Sequence, residues 1–373
     1  MSLPRVPERV ESLADLPTPA LVFDGAKVAA NIRRMAEYGR RHNLGIRPHT
    51  KTHKSLKVAA MQLAAGASGL TVAKVGEAEV MSEVGSDILI AYPVFDEARR
   101  HRAAALAKQV TLRIAVDSRM AIERLGDAAA KAGSTIGILV DIDVGMGRTG
   151  VATVAESLEL AQLVDSTRGL RLDGIMCYPG QIWNAPAEQA GPMSKVSAKL
   201  AEAIDLWKRN GLQAKIVSGG STPTAYQSHL VPEFTEIRPG TYVYNDLNEA
   251  RAGFSSNEEC AAKILVTVIS TAVAGQVVID GGSKTFTSDL CVPQRDSGHG
   301  SIIGHSSAKI VKLSEEHGQV DVTADAEPPK IGDRLEVVPN HICPCVNLQK
   351  HAWWLNTDGS LDRIPIDAQS LLS

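Results

Sequence analysis

The sequence predicts an α/β chain: a TIM-type (β/α)8 barrel followed by a second, mainly antiparallel β domain. Three observations carry that expectation. Short apolar runs alternate with amphipathic stretches eight times between Leu44 and Ile237. The runs are apolar throughout, as parallel strands covered on both faces should be. Near residue 255 the alternation stops, and β-type segments divided by turn signals take over. Eight βα units in about 200 residues fit a closed barrel better than an open sheet.

The elements follow in order. Ala20–Phe23 is a short apolar run that either domain could claim. From Asp24 to His42 the apolar residues Val28, Ile32 and Met35 fall four and three apart, one face of a helix. Strands are expected at Leu44–Arg47, Gly69–Ala73, Asp87–Ala91, Thr111–Val116, Ile136–Ile142, Leu172–Cys177, Ala214–Val217 and Thr235–Ile237. Helical stretches such as Glu77–Val84, Asp96–Lys108, Ser118–Lys131, Val154–Val164 and Pro192–Arg209 separate them. Beyond residue 255 the strand candidates are Ala261–Ala274, Gln276–Asp280, Ala308–Leu313, Val320–Thr323 and Arg334–Val338, parted by AGQ, EEHGQ and, further on, TDGS. The expected boundaries are 24–254 for the barrel and 1–23 with 255–373 for the β domain.

Composition narrows the function. The chain has 373 residues, 44% hydrophobic and 22% charged, the signature of a globular protein. A net charge of −3 gives no basic excess for a nucleic-acid backbone. No run approaches the roughly 18 apolar residues of a membrane span, and the charged, proline-bearing N-terminus lacks a signal-peptide core. Five scattered cysteines do not make a disulfide framework. A cytoplasmic protein with no nucleic-acid or membrane partner is expected.

Four clusters carry chemistry. Arg47-Pro48-His49-Thr50-Lys51-Thr52-His53-Lys54 follows the first barrel strand, at the strand end where such barrels keep catalytic groups. A lysine there, partly desolvated among other cations, suits Schiff-base chemistry; cations at a helix N-terminus are otherwise disfavoured. Gly145, Gly147 and Gly150 match a dinucleotide spacing, yet they follow the fifth strand rather than the first. Arg148 among them reads as a cation at the barrel mouth, and the run reads equally well as a plain glycine-rich turn. Ser218-Gly219-Gly220-Ser221-Thr222 follows the seventh strand, where barrels often bind phosphate, and Pro239-Gly240-Thr241-Tyr242 follows the eighth. His341 and Cys343, two apart in an expected extended segment, share a face and could grip one ion, with Cys345 as a third candidate. For an isolated H-x-C pattern, packed thiols beside a satisfied histidine are the simpler reading.

Together these residues resemble the fold type III pyridoxal-phosphate (PLP) enzymes, in the D-threonine aldolase and D-serine dehydratase branch. Thr18-Pro19-Ala20-Leu21-Val22, the Arg47–Lys54 run, Gly147-Arg148-Thr149-Gly150, Gly219-Gly220-Ser221-Thr222, Pro239-Gly240-Thr241-Tyr242, Glu316-His317-Gly318 and Pro339-Asn340-His341-Ile342-Cys343-Pro344 occur in family order. The resemblance implies an alanine racemase-like fold with Ala20–Phe23 in the β domain. It implies Lys51, not Lys54, as the Schiff-base lysine, with His49 and Arg148 as further catalytic groups. Arg148, Tyr178, Gly219, Gly220, Ser221, Thr222, Gly240 and Tyr242 would hold PLP, and His341 and Cys343 a divalent metal (Zn, Mn or Mg). His-x-Cys resembles the dehydratases, whereas Gly69–Glu79 resembles the bacterial aldolases. The expected activity is cleavage of D-β-hydroxy-α-amino acids to glycine and an aldehyde. Dehydration of D-serine or D-3-hydroxyaspartate to a 2-oxo acid and ammonia is the alternative, and a non-catalytic PLP carrier the rival of another class. The partner is a small D-amino acid, and a homodimer is implied.

Overall fold

The computed structural model describes residues 7–373. The first six residues, used above in the signal-peptide and domain readings, lie outside the described residues. The chain divides into two compact units. One comprises Ile32–Lys51, Ser55–Gly240 and Leu371–Ser373; the other takes the residues up to Asn31, Thr52–Lys54 and Thr241–Ser370.

In the first unit eight parallel strands form the barrel: β1 (Gly45–Ile46), β2 (Leu70–Val72), β3 (Asp87–Ile90), β4 (Thr111–Val116), β5 (Ile136–Asp141), β6 (Leu170–Met176), β7 (Ile216–Gly219) and β8 (Glu236–Ile237). Each pairs with its sequence neighbour from β2 to β8, and β8 also pairs with β1. A parallel bridge between His49 and Thr71 joins the remaining two edges, so the sheet closes. The expected strands and the helices between them are found within a few residues. Leu89, Ala115, Leu139 and Met176, from four adjacent strands, pack as one apolar layer. Toward the strands' N-terminal ends the filling is ionic. Buried Arg47 bonds Glu236 (2.8 Å) and Asp87 (2.6 Å), and Arg113 links Asp87 (2.6 Å) to Asp173 (2.7 Å). Arg47, which opens the RPHTKTHK run, is therefore a core group. Buried charges persist when paired on all sides, as here.

The second unit is built on a mainly antiparallel sheet. Ala20–Asp24, the run either domain could claim, pairs antiparallel with Ala262–Ser270 and parallel with His351–Leu355. The turn signals fall where expected: AGQ lies between Ala262–Ser270 and Gln276–Ile279, EEHGQ between Lys309–Leu313 and Gly318–Asp321, and TDGS between His351–Leu355 and Leu361–Pro365. Phe23 stacks on Tyr244 at 4.2 Å, and Val22, Leu265, Trp353 and Leu361 share one apolar cluster.

Candidate active site

Strand β1 ends three residues before His49, and the chain then makes a 3-10 turn, Thr50–Thr52. That turn is pinned to β2: Thr71 N–H donates to Pro48 O (2.8 Å) and Thr50 Oγ1 to Thr71 O (3.2 Å). Lys51 is exposed, whereas Thr52, His53, Lys54 and Ser55 are buried. His49 Nδ1 accepts from the Lys51 N–H at 3.4 Å, which puts the hydrogen of a neutral ring on Nε2. Lys54 has left-handed backbone (φ 50°), its Nζ donates to Ala368 O (3.4 Å) and its carbonyl accepts from Ala368 N–H (2.9 Å). The two lysines of the run thus separate into one at the surface and one tied into the fold.

Around the barrel rim, the loops after β7 and β8 meet where Gly240 N–H donates to Thr222 Oγ1 (3.1 Å). Thr222 keeps its own O–H to donate. Ser221 is fixed by Thr224, whose Oγ1 accepts from Ser221 N–H at 3.1 Å. Gly220 has φ +76°, and a Cβ there would lie 3.0 Å from Ile237 Cβ, so the loop requires glycine. Small residues, hydroxyls and backbone amides form a donor set suited to a phosphate. Tyr242 is buried in the turn Thr241–Val243 and groups with the other unit.

The glycine turn after β5 is not a phosphate loop. Gly145 and Gly147 N–H groups donate to Asp143 Oδ1 (3.1 and 3.0 Å), so a carboxylate occupies the amides. Burial alone would raise the Asp143 pKa, but those N–H bonds outweigh it and hold it below the ordinary value. Arg148 is exposed with its guanidinium carbon 4.7 Å from the Tyr178 ring centroid, a cation–π distance. Next to it Thr149 Oγ1 donates to Asp141 Oδ2 (2.9 Å). Burial drives the Asp141 carboxyl up to about 6 against that hydrogen bond and the Arg238 charge. Arg238, buried, donates to Ser218 Oγ (2.8 Å) and Cys177 O (2.7 Å). Sequence reasoning missed both Arg238 and Asp141, although Arg238 directly precedes the Pro239-Gly240 pair.

In the second unit His341 is the N-cap of a helix, Ile342–Leu348, and Cys343 lies in its first turn. The expected extended segment is wrong. Pro344 sits in a first turn, where its missing N–H costs nothing, and Asp246 Oδ2 accepts from Ile342 N–H at 3.0 Å. Asp246 also caps its own helix, Leu247–Arg251, through Oδ1 and Glu249 N–H (3.2 Å). Asp followed three residues later by Glu is a helix-start pattern that could have exposed it. The His341 and Cys343 side chains are near enough to interact electrostatically. Asp289 Oδ2 lies 2.8 Å from His341 Nδ1, and Thr52 Oγ1 lies 3.2 Å from Cys343 Sγ. Burial opposes the imidazolium, but Cys343, Asp246 and Asp289 outweigh it and raise His341 to about 10. An anionic pocket that holds a proton this firmly also suits a cation. Cys345 drops out as a ligand candidate: it is fully buried, its thiol donates to Phe286 O (3.3 Å) and His341 O (3.2 Å), and burial holds its pKa well above the ordinary value. Two residues on, a helix has turned its side chain away. No cluster of three or more His, Cys, Asp or Glu arranged to hold a metal occurs among the described residues. His341 and Cys343 remain a candidate pair only.

Known proteins share this fold. The profile of the family described as "Alanine racemase, N-terminal domain" matches residues 23–248, and that of "Putative serine dehydratase domain" matches residues 261–355. A D-threonine aldolase of Arthrobacter sp is 31% identical over 93% of this chain and 91% of its own. The crystal structure of D-threonine aldolase from Filomicrobium marinum superposes with a TM-score of 0.90 at 27% identity, covering 99% of this chain and 100% of that one. D-threo-3-hydroxyaspartate dehydratase from Delftia sp. HT23 superposes at 0.86 with 28% identity, covering 95% and 99%. With a profile spanning more than half of its length and a relative matched almost end to end, the chain belongs to the alanine racemase N-terminal domain family.

Proposed function

We propose that the protein is a PLP- and divalent-metal-dependent lyase that cleaves D-β-hydroxy-α-amino acids of the D-threonine type to glycine and an aldehyde. One observation carries the reading. Lys51, the exposed lysine of its run, is bonded in sequence to Thr52, whose hydroxyl lies 3.2 Å from Cys343 of the proposed metal pair. Lys51 thus directly precedes, along the chain, a residue whose hydroxyl touches the proposed metal thiolate. The D-threonine aldolase relative supports the same substrate class.

The cofactor, when bound, supplies a ring that accepts the electron pair left at Cα. Lys51 carries it, and His49, hydrogen-bonded to the same turn, serves proton transfer there. Gly219, Gly220, Ser221, Thr222 and Gly240 hold the phosphate, with Tyr242 assigned to the same group. Arg148, set by its contact with the Tyr178 ring, presents a cation to the phenolic oxygen. His341 and Cys343 hold the metal; imidazole and thiolate favour zinc, manganese and magnesium being the harder alternatives. Two protein donors leave coordination positions open to substrate. The protein acts as a cytoplasmic homodimer.

The test is purified protein loaded with PLP and zinc or manganese and given D-threonine. Glycine and acetaldehyde in equal amounts support the aldolase; 2-oxobutanoate and ammonia make it a dehydratase. The His341-x-Cys343 pair and the likeness to the Delftia dehydratase favour that second reading. Bound PLP with no turnover of any D-β-hydroxy amino acid leaves only the carrier.

A further inference from the structure

We propose that Asp289 is a positioning residue for the metal pair, its carboxylate holding His341 with hydrogen on Nδ1 so that Nε2 is the nitrogen presented to a cation. The inference rests on the reading of His341 and Cys343 as metal donors. A carboxylate only accepts, so the 2.8 Å contact between Asp289 Oδ2 and His341 Nδ1 requires a hydrogen on Nδ1. A metal-binding imidazole must present a lone pair, and only Nε2 is left to do so. Histidine ligands usually have their second nitrogen fixed in this way, and the partner sets both ring orientation and donor strength.

Asp289 is itself held. Its N–H donates to Thr287 Oγ1 (3.2 Å), and its carbonyl accepts from Asn340 Nδ2 (3.0 Å). Asn340 is buried, directly precedes His341, and also donates to Gly298 O (2.8 Å) while its Oδ1 accepts from the Cys291 thiol (3.1 Å). Asp289 therefore grips the metal-pair segment twice, by the backbone at Asn340 and by the carboxylate at the His341 ring. The carboxylate contact contributes little to the fold. Its side chains are 39% and 49% exposed, and ion pairs so placed add little to stability. A fixed contact that the fold does not need is what an orienting role leaves behind.

The experiment compares the PLP-loaded wild type with Asp289→Ala and Asp289→Asn. Zinc affinity is measured by chelator competition, and cobalt binding by thiolate charge-transfer absorbance, with Cys343→Ala as the control that removes that band. Asp289→Ala should weaken zinc about 10- to 100-fold while melting temperature and PLP absorbance stay unchanged. Asp289→Asn, whose amide oxygen still accepts from Nδ1–H, should recover most of the affinity. Equal zinc affinity in Asp289→Ala and wild type overturns the inference. So does a lowered melting temperature with affinity intact, which makes Asp289 a folding residue. A wild type that binds neither metal refutes the metal pair itself, before any variant is compared.

Discussion

Lys51 and Lys54 give the clearest separation of chemistry from structure, because the two lysines differ in everything but sequence proximity. Lys51 is exposed. Replacing it with alanine should change stability by no more than about 0.5 kcal/mol, the usual range for surface sites, yet remove the cofactor's attachment and reduce turnover to background. Lys54 is 4% exposed and its ammonium donates to Ala368 O. Lys54→Ala loses three buried methylenes at about 0.8 kcal/mol each and a hydrogen bond of about 1 kcal/mol. Freeing a lysine from its ordering entropy returns up to about 2 kcal/mol, which leaves a loss of about 1–2 kcal/mol. Lys54→Met keeps most of the stem and should lose the ammonium's polar contacts, at least about 1 kcal/mol. The backbone at φ 50° is common to all three residues and cancels. The assays are denaturant unfolding of each variant, and borohydride reduction followed by peptide mass analysis for the site of PLP attachment. Wild type, Lys54→Ala and Lys54→Met should carry the reduced adduct on Lys51. An undiminished adduct in Lys51→Ala, or a larger stability loss there than in Lys54→Ala, would falsify the assignment.

At Gly220, φ +76° and the nearness of Ile237 mean that Gly220→Val should weaken PLP binding at least tenfold by equilibrium dialysis; unchanged affinity puts the phosphate elsewhere. Extensive chelation should abolish turnover of D-threonine while the PLP absorbance persists, and full activity in protein shown metal-free by elemental analysis refutes a metal role. Asp141 titrates at about 6 in the folded chain against 3.8 unfolded. Its contribution is therefore present below pH 3.8 and lost as pH rises through 6. Asp141→Asn should stabilise the protein by about 3 kcal/mol at pH 8, falling to about 1 at pH 4.5, and a difference independent of pH would show that the carboxyl is not perturbed. Sedimentation should give a dimer, and a monomer at micromolar concentration counts against one.

The barrel was legible because its strands are a local signal. Runs such as Ile136–Asp141, buried at every position, cannot alternate in polarity, and the helices between them carry their own period. The loop after β7 was legible for a similar reason, since consecutive glycines followed by hydroxyls leave few other conformations. What sequence could not show were partners remote along the chain. Asp289 lies 52 residues from His341, in a loop without local pattern. Arg47 looked like part of a catalytic run because it opens RPHTKTHK; its partners, Asp87 and Glu236, become visible only when the sheet closes.

His341 and Cys343 show how a sequence argument can rest on the wrong element. In a strand, side chains two apart share a face, so spacing alone seemed to bring His341 and Cys343 together. In a helix interior the same spacing would part them by about 200°. They meet because His341 is not in the helix: as N-cap it keeps extended backbone (φ −137°, ψ 108°), so the face it presents is set before the first turn begins. Asp246 fixes where that turn begins by capping Ile342, and Leu247 and Asn248 N–H groups donate to Pro339 O and Asn340 O (both 3.2 Å) from the other side. The same geometry explains why Cys345 cannot join. It lies wholly inside the helix, where the 200° rotation applies in full, and its thiol turns to the carbonyls of Phe286 and His341. The parting of Cys345 from His341 and Cys343 is thus a consequence of where this helix starts.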